Sequence, residues 1–270
     1  MRFTSPQQEH LILGTSRAAQ GVRPEFMASG AFYNFSFTLL HSPYGQMYRE
    51  AIEQKIKLSE GEGKFVLTID PWSISGLAED PEDESLFKDS KTRLANVGCK
   101  SCCPNYEYLL KYYPKGWGRL ILRKIRNHPS HHTLHEDGWL EIDIPMDSIS
   151  VYDRTVRKMK VYERNSTYYA PSDLRFSEFE KLVDTLSNKG QVYIVRLPVP
   201  SAMKRLESQY MPKFEQKIQR LVENQQLPYL DMTLLPDTFR YIDGNHLYSA
   251  SSTSVSKIID DFIRRADFSE

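Results

Sequence analysis

Five short runs constrain this chain most: LILG (11–14), FYNFSF (32–37), FVLTID (65–70), VYIVRLPV (192–199) and YLDMT (229–233). They are rich in Val, Ile, Leu, Tyr and Phe and mostly do not alternate apolar with polar residues. Strands covered on both faces read this way, and such strands belong to parallel sheets. Helical periodicity fills the gaps. GQMYREAIEQKIKLS (45–59) carries Met47, Ala51, Ile52 and Ile56 on one stripe. RFSEFEKLVDTLSNKG (175–190) has Ser177 as a candidate N-cap, a stripe through Phe179, Leu182, Val183 and Leu186, and Gly190 as a stop. PKFEQKIQRLVENQQ (212–226) repeats the design with Phe214, Ile218, Leu221 and Val222, and TSVSKIIDDFIRRADF (253–268) with Val255, Ile258, Ile259 and Phe262. Strand and helix in alternation predict a three-layer α/β/α domain with a doubly wound, flavodoxin-like parallel sheet.

The 270 residues suit a single α/β domain spanning 1–270, and 40% hydrophobic with 12% aromatic content is ample for a core. Between 71 and 174 the alternation breaks. The sequence there has DPEDE, proline-bounded turns, a cysteine cluster, a histidine cluster, the alternating GWLEIDI (138–144), and KMKVYERNSTYYAP (158–171), which reads as a strand and loop. We expect a long insertion after the third strand that forms a cap or substrate region.

Lys+Arg and Asp+Glu balance at 35 each, so no general basic field invites nucleic acid. No run approaches the roughly 18 apolar residues of a membrane span. The opening MRFTSPQQEH shows no charged and apolar leader pattern, which taken literally predicts a cytoplasmic protein; a chain trimmed of an anchor reads identically. Cys99, Cys102 and Cys103, followed by His128, His131, His132 and His135, match no standard zinc template. They read as a thiol-bearing loop or a local disulfide, with a zinc-organised module as the weaker alternative. No cofactor or metal is expected.

The chemistry concentrates at the two ends. In an open α/β sheet the ligand crevice lies beyond the carboxyl ends of the strands. Ser16 falls two residues after the first strand run, where SRAAQG opens a helix with free N–H groups. Near the other end, Asp243-Gly244-Asn245-His246 follows the last strand and precedes the last helix. Its spacing lets the Asp243 carboxylate reach the His246 Nδ1–H and leave Nε2 for a serine hydroxyl. Gly-Thr-Ser is also a common helix cap, and Asp-Gly-Asn is ordinary turn chemistry.

LILGTSRAAQGVRP resembles the first block of the SGNH (GDSL-like) hydrolase superfamily, with Gly14-Thr15-Ser16 in place of Gly-Asp-Ser; DGNHLYSASSTSVSKIIDDFI resembles its closing block. The likeness spans roughly 10–70 and 175–268 and leaves the insertion uncovered. It implies Ser16 as nucleophile, His246 as general base and Asp243 as the orienting carboxylate of a serine esterase or O-acyltransferase working through an acyl-serine. Its wording is most similar to bacterial cell-envelope SGNH proteins associated with O-acyl transfer onto surface glycans. That implies an acyl ester or acylated glycan as substrate, a membrane O-acyltransferase as partner, and an extracytoplasmic location if an anchor precedes this chain.

The middle blocks depart from the family. Its second block offers a glycine N–H, whereas here Asn34, Ser36 and Thr38 are the nearest polar groups. Its third block supplies an asparagine to the oxyanion, whereas TIDPWSIS puts Asp70 and Trp72 there. An aspartate would repel an oxyanion unless a cation such as Arg17 or Arg196 stood close. Arg17 reads equally as a substrate contact or a structural ion pair. Trp72, Trp117 and Trp139 are candidate sugar platforms, with burial as the plainer reading of each. YYPKGWGRLILRKIR (112–126) reads as a solvated face with some capacity for anionic glycan or headgroups. These departures leave open a catalytically silent protein that holds envelope polysaccharide in the same crevice.

Overall fold

The computed structural model describes residues 5–37, 44–57, 63–83 and 131–268. Thr38, the three cysteines, His128, Trp117 and the 112–126 segment lie outside these.

Five parallel strands form the central sheet. They are β1 (His10–Leu13), β2 (Phe32–Asn34), β3 (Gly63–Thr68), β8 (Gly190–Arg196) and β9 (Tyr229–Asp231), in spatial order β2-β1-β3-β8-β9. All five grow from the five apolar runs. Successive side chains point to opposite faces, so Leu11, Leu13, Phe65, Leu67, Val192 and Ile194 enter one core, and Ile12, Val66, Tyr193 and Val195 the other. The register pairs Leu11 with Tyr33 and Phe65, and Phe65 with Val192.

Seven α-helices are described: α1 (Ser16–Gly21), α2 (Gln46–Lys55), α3 (Ser148–Tyr168), α4 (Asp173–Ser187), α5 (Ser201–Tyr210), α6 (Phe214–Gln225) and α7 (Ser249–Asp267). The stripes of α2, α4 and α6 pack on the first face through residues such as Ile52, Phe179 and Ile218. Those of α1 and α7 pack on the second through Ala18, Val255, Ile259 and Ile263. The molecule is thus a mixed α/β structure with helices on both sides of a parallel sheet. Its strand order reverses direction at β1, so the crevice between the carboxyl ends of β1 and β3 is the topological switch point.

Four local expectations need correction. The N-cap of α4 is Ser172, whose Oγ accepts the Arg175 N–H at 3.0 Å; Ser177 lies inside the helix. Gly190 does not stop α4: it opens β8 at φ 158°, where a side chain would strike the Gly63 backbone. Helix α5 adds an element between β8 and α6. The stretch 158–171 is the second half of a 21-residue helix, α3, and only Tyr169–Pro171 (β7) is extended. The α3 stripe is half-buried and largely polar, so it lacks the apolar signature that reveals a helix in a sequence.

Among the described residues of 71–174 there are two short antiparallel pairs. β4 (Ser75–Leu77) pairs with β7, and β5 (His132–Leu134) with β6 (Leu140–Ile142), the strand that GWLEIDI anticipates. Trp139 is buried, donates its indole N–H to Gln20 O at 2.9 Å and lies under the Arg23 guanidinium, which makes it scaffold. His135 pairs with Glu141 at 2.9 Å, and no group of metal-ligating residues assembles among the described residues. No described helix is long and apolar enough to cross a membrane.

Candidate active site

Gly14 carries the chain out of β1, and an added Cβ there would lie 1.9 Å from Thr68 Oγ1 on β3. Only glycine fits, and the strand can turn at once into α1. Thr15 caps that helix by accepting the Arg17 N–H, which leaves Ser16 as its first residue, half-buried on the crevice rim. Among the described residues the Ser16 backbone N–H has no partner, as expected of a first-turn donor.

The other half is built by a turn. A bridge between Tyr241 and Leu247, and a bond from the Ile242 N–H to His246 O at 2.9 Å, close a loop. At its tip Asp243 Oδ1 accepts the N–H groups of both Asn245 and His246 at 2.8 Å, an Asx turn. The second carboxylate oxygen lies 3.0 Å from His246 Nδ1. Helix α7 follows and ties this loop to the first one: Ser252 Oγ donates to Gln20 O at 3.1 Å, and Ser256 Oγ accepts the Arg23 N–H at 2.7 Å.

These constraints bring residues 230 apart in sequence into contact, with Ser16 Oγ 2.8 Å from His246 Nε2. Asp243 is ionised and can only accept, so the imidazole proton sits on Nδ1 and Nε2 accepts from the serine hydroxyl. Burial opposes the charge on Asp243, but the hydrogen bond and charge of His246, with Lys158, outweigh it and hold the carboxyl well below the usual range. Burial lowers the His246 pKa, and Lys158 and Arg17 lower it further against the pull of Asp243. A neutral imidazole near neutral pH, aimed at a hydroxyl and oriented by a carboxylate, can accept the proton of an attacking serine.

Beside this trio lies a buried charged cluster that spans the switch point. Arg17 meets Glu207 Oε1 at 2.6 Å and Asp70 Oδ2 at 3.5 Å, and its Nε donates to Asn245 Oδ1. Glu207, fully buried on α5, also meets Arg196 at 3.2 Å and accepts the Trp72 indole N–H at 3.1 Å. Burial raises the Asp70 carboxyl pKa, and Arg17 offsets part of that rise. Burial opposes the Arg17 charge, yet Glu207 and Asp70 raise its pKa overall.

The remaining sequence candidates sort by their partners. Asn34 spends both amide hydrogens on Ala18 O and Val22 O, and its oxygen on the Ser36 N–H; Ser36 Oγ donates to Ile12 O. Asn34 braces α1 and Ser36 braces β1, and neither has a side-chain donor left for an oxyanion. Arg196 is ion-paired with Glu207, Glu215 and Asp231, and Arg17 with Glu207 and Asp70, so the ion-pair reading of each cation prevails over substrate contact. Asp70 caps its own turn through the Ser73 N–H at 2.9 Å and is the partner of Arg17. Trp72 is half-buried, stacks on Tyr210 with centroids 4.2 Å apart and meets Tyr162 edge-on, so its ring contacts are made within the protein.

Asn245, Glu207, Lys158 and Tyr162 were not legible as site residues. Asn245 had the best signal, lying inside Asp-x-x-His. Glu207 stands four residues after the buried Met203 on α5, an acidic residue on an inward stripe.

No protein-family model matches the chain, and no curated protein matches it. Solved structures do. The chain is similar to a carbohydrate acetylesterase from Sinorhizobium meliloti, at 9% identity and a TM-score of 0.41, covering 96% of this chain and 100% of that one. An inhibitor-bound aryl esterase of M. smegmatis matches at 9% identity and a TM-score of 0.37, over 96% and 99%. An acetyl xylan esterase from the rumen bacterium Butyrivibrio proteoclasticus matches at 9% and 0.37, over 97% of this chain and 65% of that one.

Proposed function

We propose that this chain is an SGNH-type serine esterase acting on acyl esters, with Ser16 as nucleophile, His246 as general base and Asp243 as its orienting partner. The observation that carries the reading is the contact of Ser16 Oγ with His246 Nε2 at 2.8 Å, backed by Asp243 on Nδ1. In the forward step Ser16 Oγ bonds to the ester carbonyl carbon and its proton passes to Nε2. The tetrahedral oxyanion takes the Ser16 backbone N–H. Collapse breaks the acyl–oxygen bond, and the imidazolium returns its proton to the departing alkoxide, leaving an acyl-serine. Water, or a sugar hydroxyl, then attacks the acyl-serine under the same base. Hydrolysis and transfer differ only in which of these reaches it.

Asn34 and Asp70 supply no oxyanion donor, so this enzyme is a slow one. Each missing donor costs on the order of 10²–10³ in rate. That same shortage favours a second reading, a silent protein holding polysaccharide in the crevice. The finer substrate we propose is an acylated envelope carbohydrate, with 71–174 forming the surface that meets it and a membrane O-acyltransferase as partner if the acyl group is transferred. Turnover of p-nitrophenyl acetate by wild type, Ser16→Ala and His246→Ala tests the reaction. Each variant is expected to lose roughly 10³-fold or more; equal rates in all three overturn it.

A further inference from the structure

Helix α3 belongs to the segment that the SGNH resemblance leaves uncovered, yet one stripe of it meets the Asp243–His246 loop repeatedly. Arg154 Nε donates to Ile242 O at 2.7 Å. Lys158 Nζ lies 3.2 Å from Asp243 Oδ2, the oxygen that holds the imidazole. Tyr162 Oη accepts from Asn245 Nδ2 at 2.9 Å, and the other end of that amide accepts from Arg17. A Cβ placed on Gly244 would touch Thr155 and Met159 at 3.4 Å. Residues 154, 155, 158, 159 and 162 fall at helical spacing on one face, so four consecutive loop residues each face this stripe.

We infer that α3 is the positioning element for this loop, with Lys158 fixing the carboxylate against the imidazole and Tyr162 fixing Asn245. The carboxylate receives Lys158 and His246 on the same oxygen, and the Asx turn occupies the other. Rotation of Asp243 away from His246 would therefore break an ion pair as well as a hydrogen bond. The groups facing the imidazole are Asp243 and Asn245 from its own loop, Lys158 from α3, and Ser16 and Arg17 from α1. Tyr162, also on α3, is held neutral, its phenol pushed up to about 12 by burial. Lys158 is the half-exposed cation of this set, and removing its charge leaves the buried Asp243 carboxylate still held by His246 and by the two N–H groups of the Asx turn.

The inference rests on the esterase reading for the role of His246, and its test does not. The imidazole of His246 is titrated by NMR, its resonance assigned by loss in His246→Gln, in wild type, Lys158→Met, Lys158→Gln and Lys158→Arg. Circular dichroism accompanies each variant to confirm that the helix is retained. Removing the cation is expected to raise the midpoint by about half a unit to one unit, and the arginine variant to keep it near wild type. An unchanged midpoint in both neutral variants overturns the inference, whatever the ester turnover. Absent turnover in wild type, with the midpoint still shifted, retires the esterase reading and keeps the positioning role. In Tyr162→Phe the turnover number is expected to fall about tenfold at unchanged KM, the signature of a displaced base rather than lost binding; no change in either constant removes Tyr162 from the device.

Discussion

Gly14 and His246 show what single residues contribute. A methyl group on Gly14 would collide with Thr68 Oγ1, and that oxygen is held on Leu13 O at 3.1 Å. Gly14→Ala is therefore expected to cost about 1–3 kcal/mol, read as a lowered urea midpoint, with ester turnover falling further because the Ser16 turn moves. His246 carries the pH dependence. Burial lowers its pKa, so the neutral form persists to lower pH than for a free imidazole. The acid limb of kcat/KM is expected to have its midpoint below 6.5; a midpoint at or above that contradicts the burial argument. The stability sign is the same. A folded pKa below the unfolded one means the unfolded chain binds the proton more readily, so this residue's contribution is complete above about 6.5 and declines as pH falls through that value. Asp243 adds a contribution lost only in stronger acid, since its folded pKa is also depressed.

Elements decide where these residues meet. Arg17 on α1, Glu207 on α5 and Arg196 at the end of β8 join three elements around the crevice through buried charge. Glu207→Gln leaves two buried guanidinium groups short of a partner and is expected to cost about 3–5 kcal/mol, measured by denaturant unfolding. A loss under 1 kcal/mol would show that Asp70 and Asp231 suffice. The strands and the amphipathic helices α2, α4, α6 and α7 were readable because an apolar period of 2 or 3.6 is a property of the sequence itself. Helix α3 was not, because its inward stripe meets polar partners through Arg154, Lys158 and Tyr162 and buries little hydrocarbon. The cap of α4 differs from the expectation for a related reason: Ser172 and Ser177 both offer a hydroxyl, and Ser172, next after Pro171 at the end of β7, is the one that stands at the helix start.

At the scale of the whole molecule, the doubly wound order makes one crevice between β1 and β3, and the first and last loops both open onto it. That arrangement was legible because Ser16 directly follows β1 and opens α1, and the Asp-x-x-His segment lies in the loop between β9 and α7. The surroundings were not, since Asn34, Ser36, Asp70 and Arg196 were candidates by position alone. Their hydrogen-bond partners, which sequence does not encode, commit them to the scaffold. The central claim is that a neutral imidazole activates the Ser16 hydroxyl. Labelling with a fluorophosphonate, followed by intact-mass and peptide analysis, reads that directly. A single adduct on Ser16, lost in Ser16→Ala and strongly slowed in His246→Ala, is the predicted result. A wild-type protein left unmodified under conditions that label a known serine esterase would contradict it.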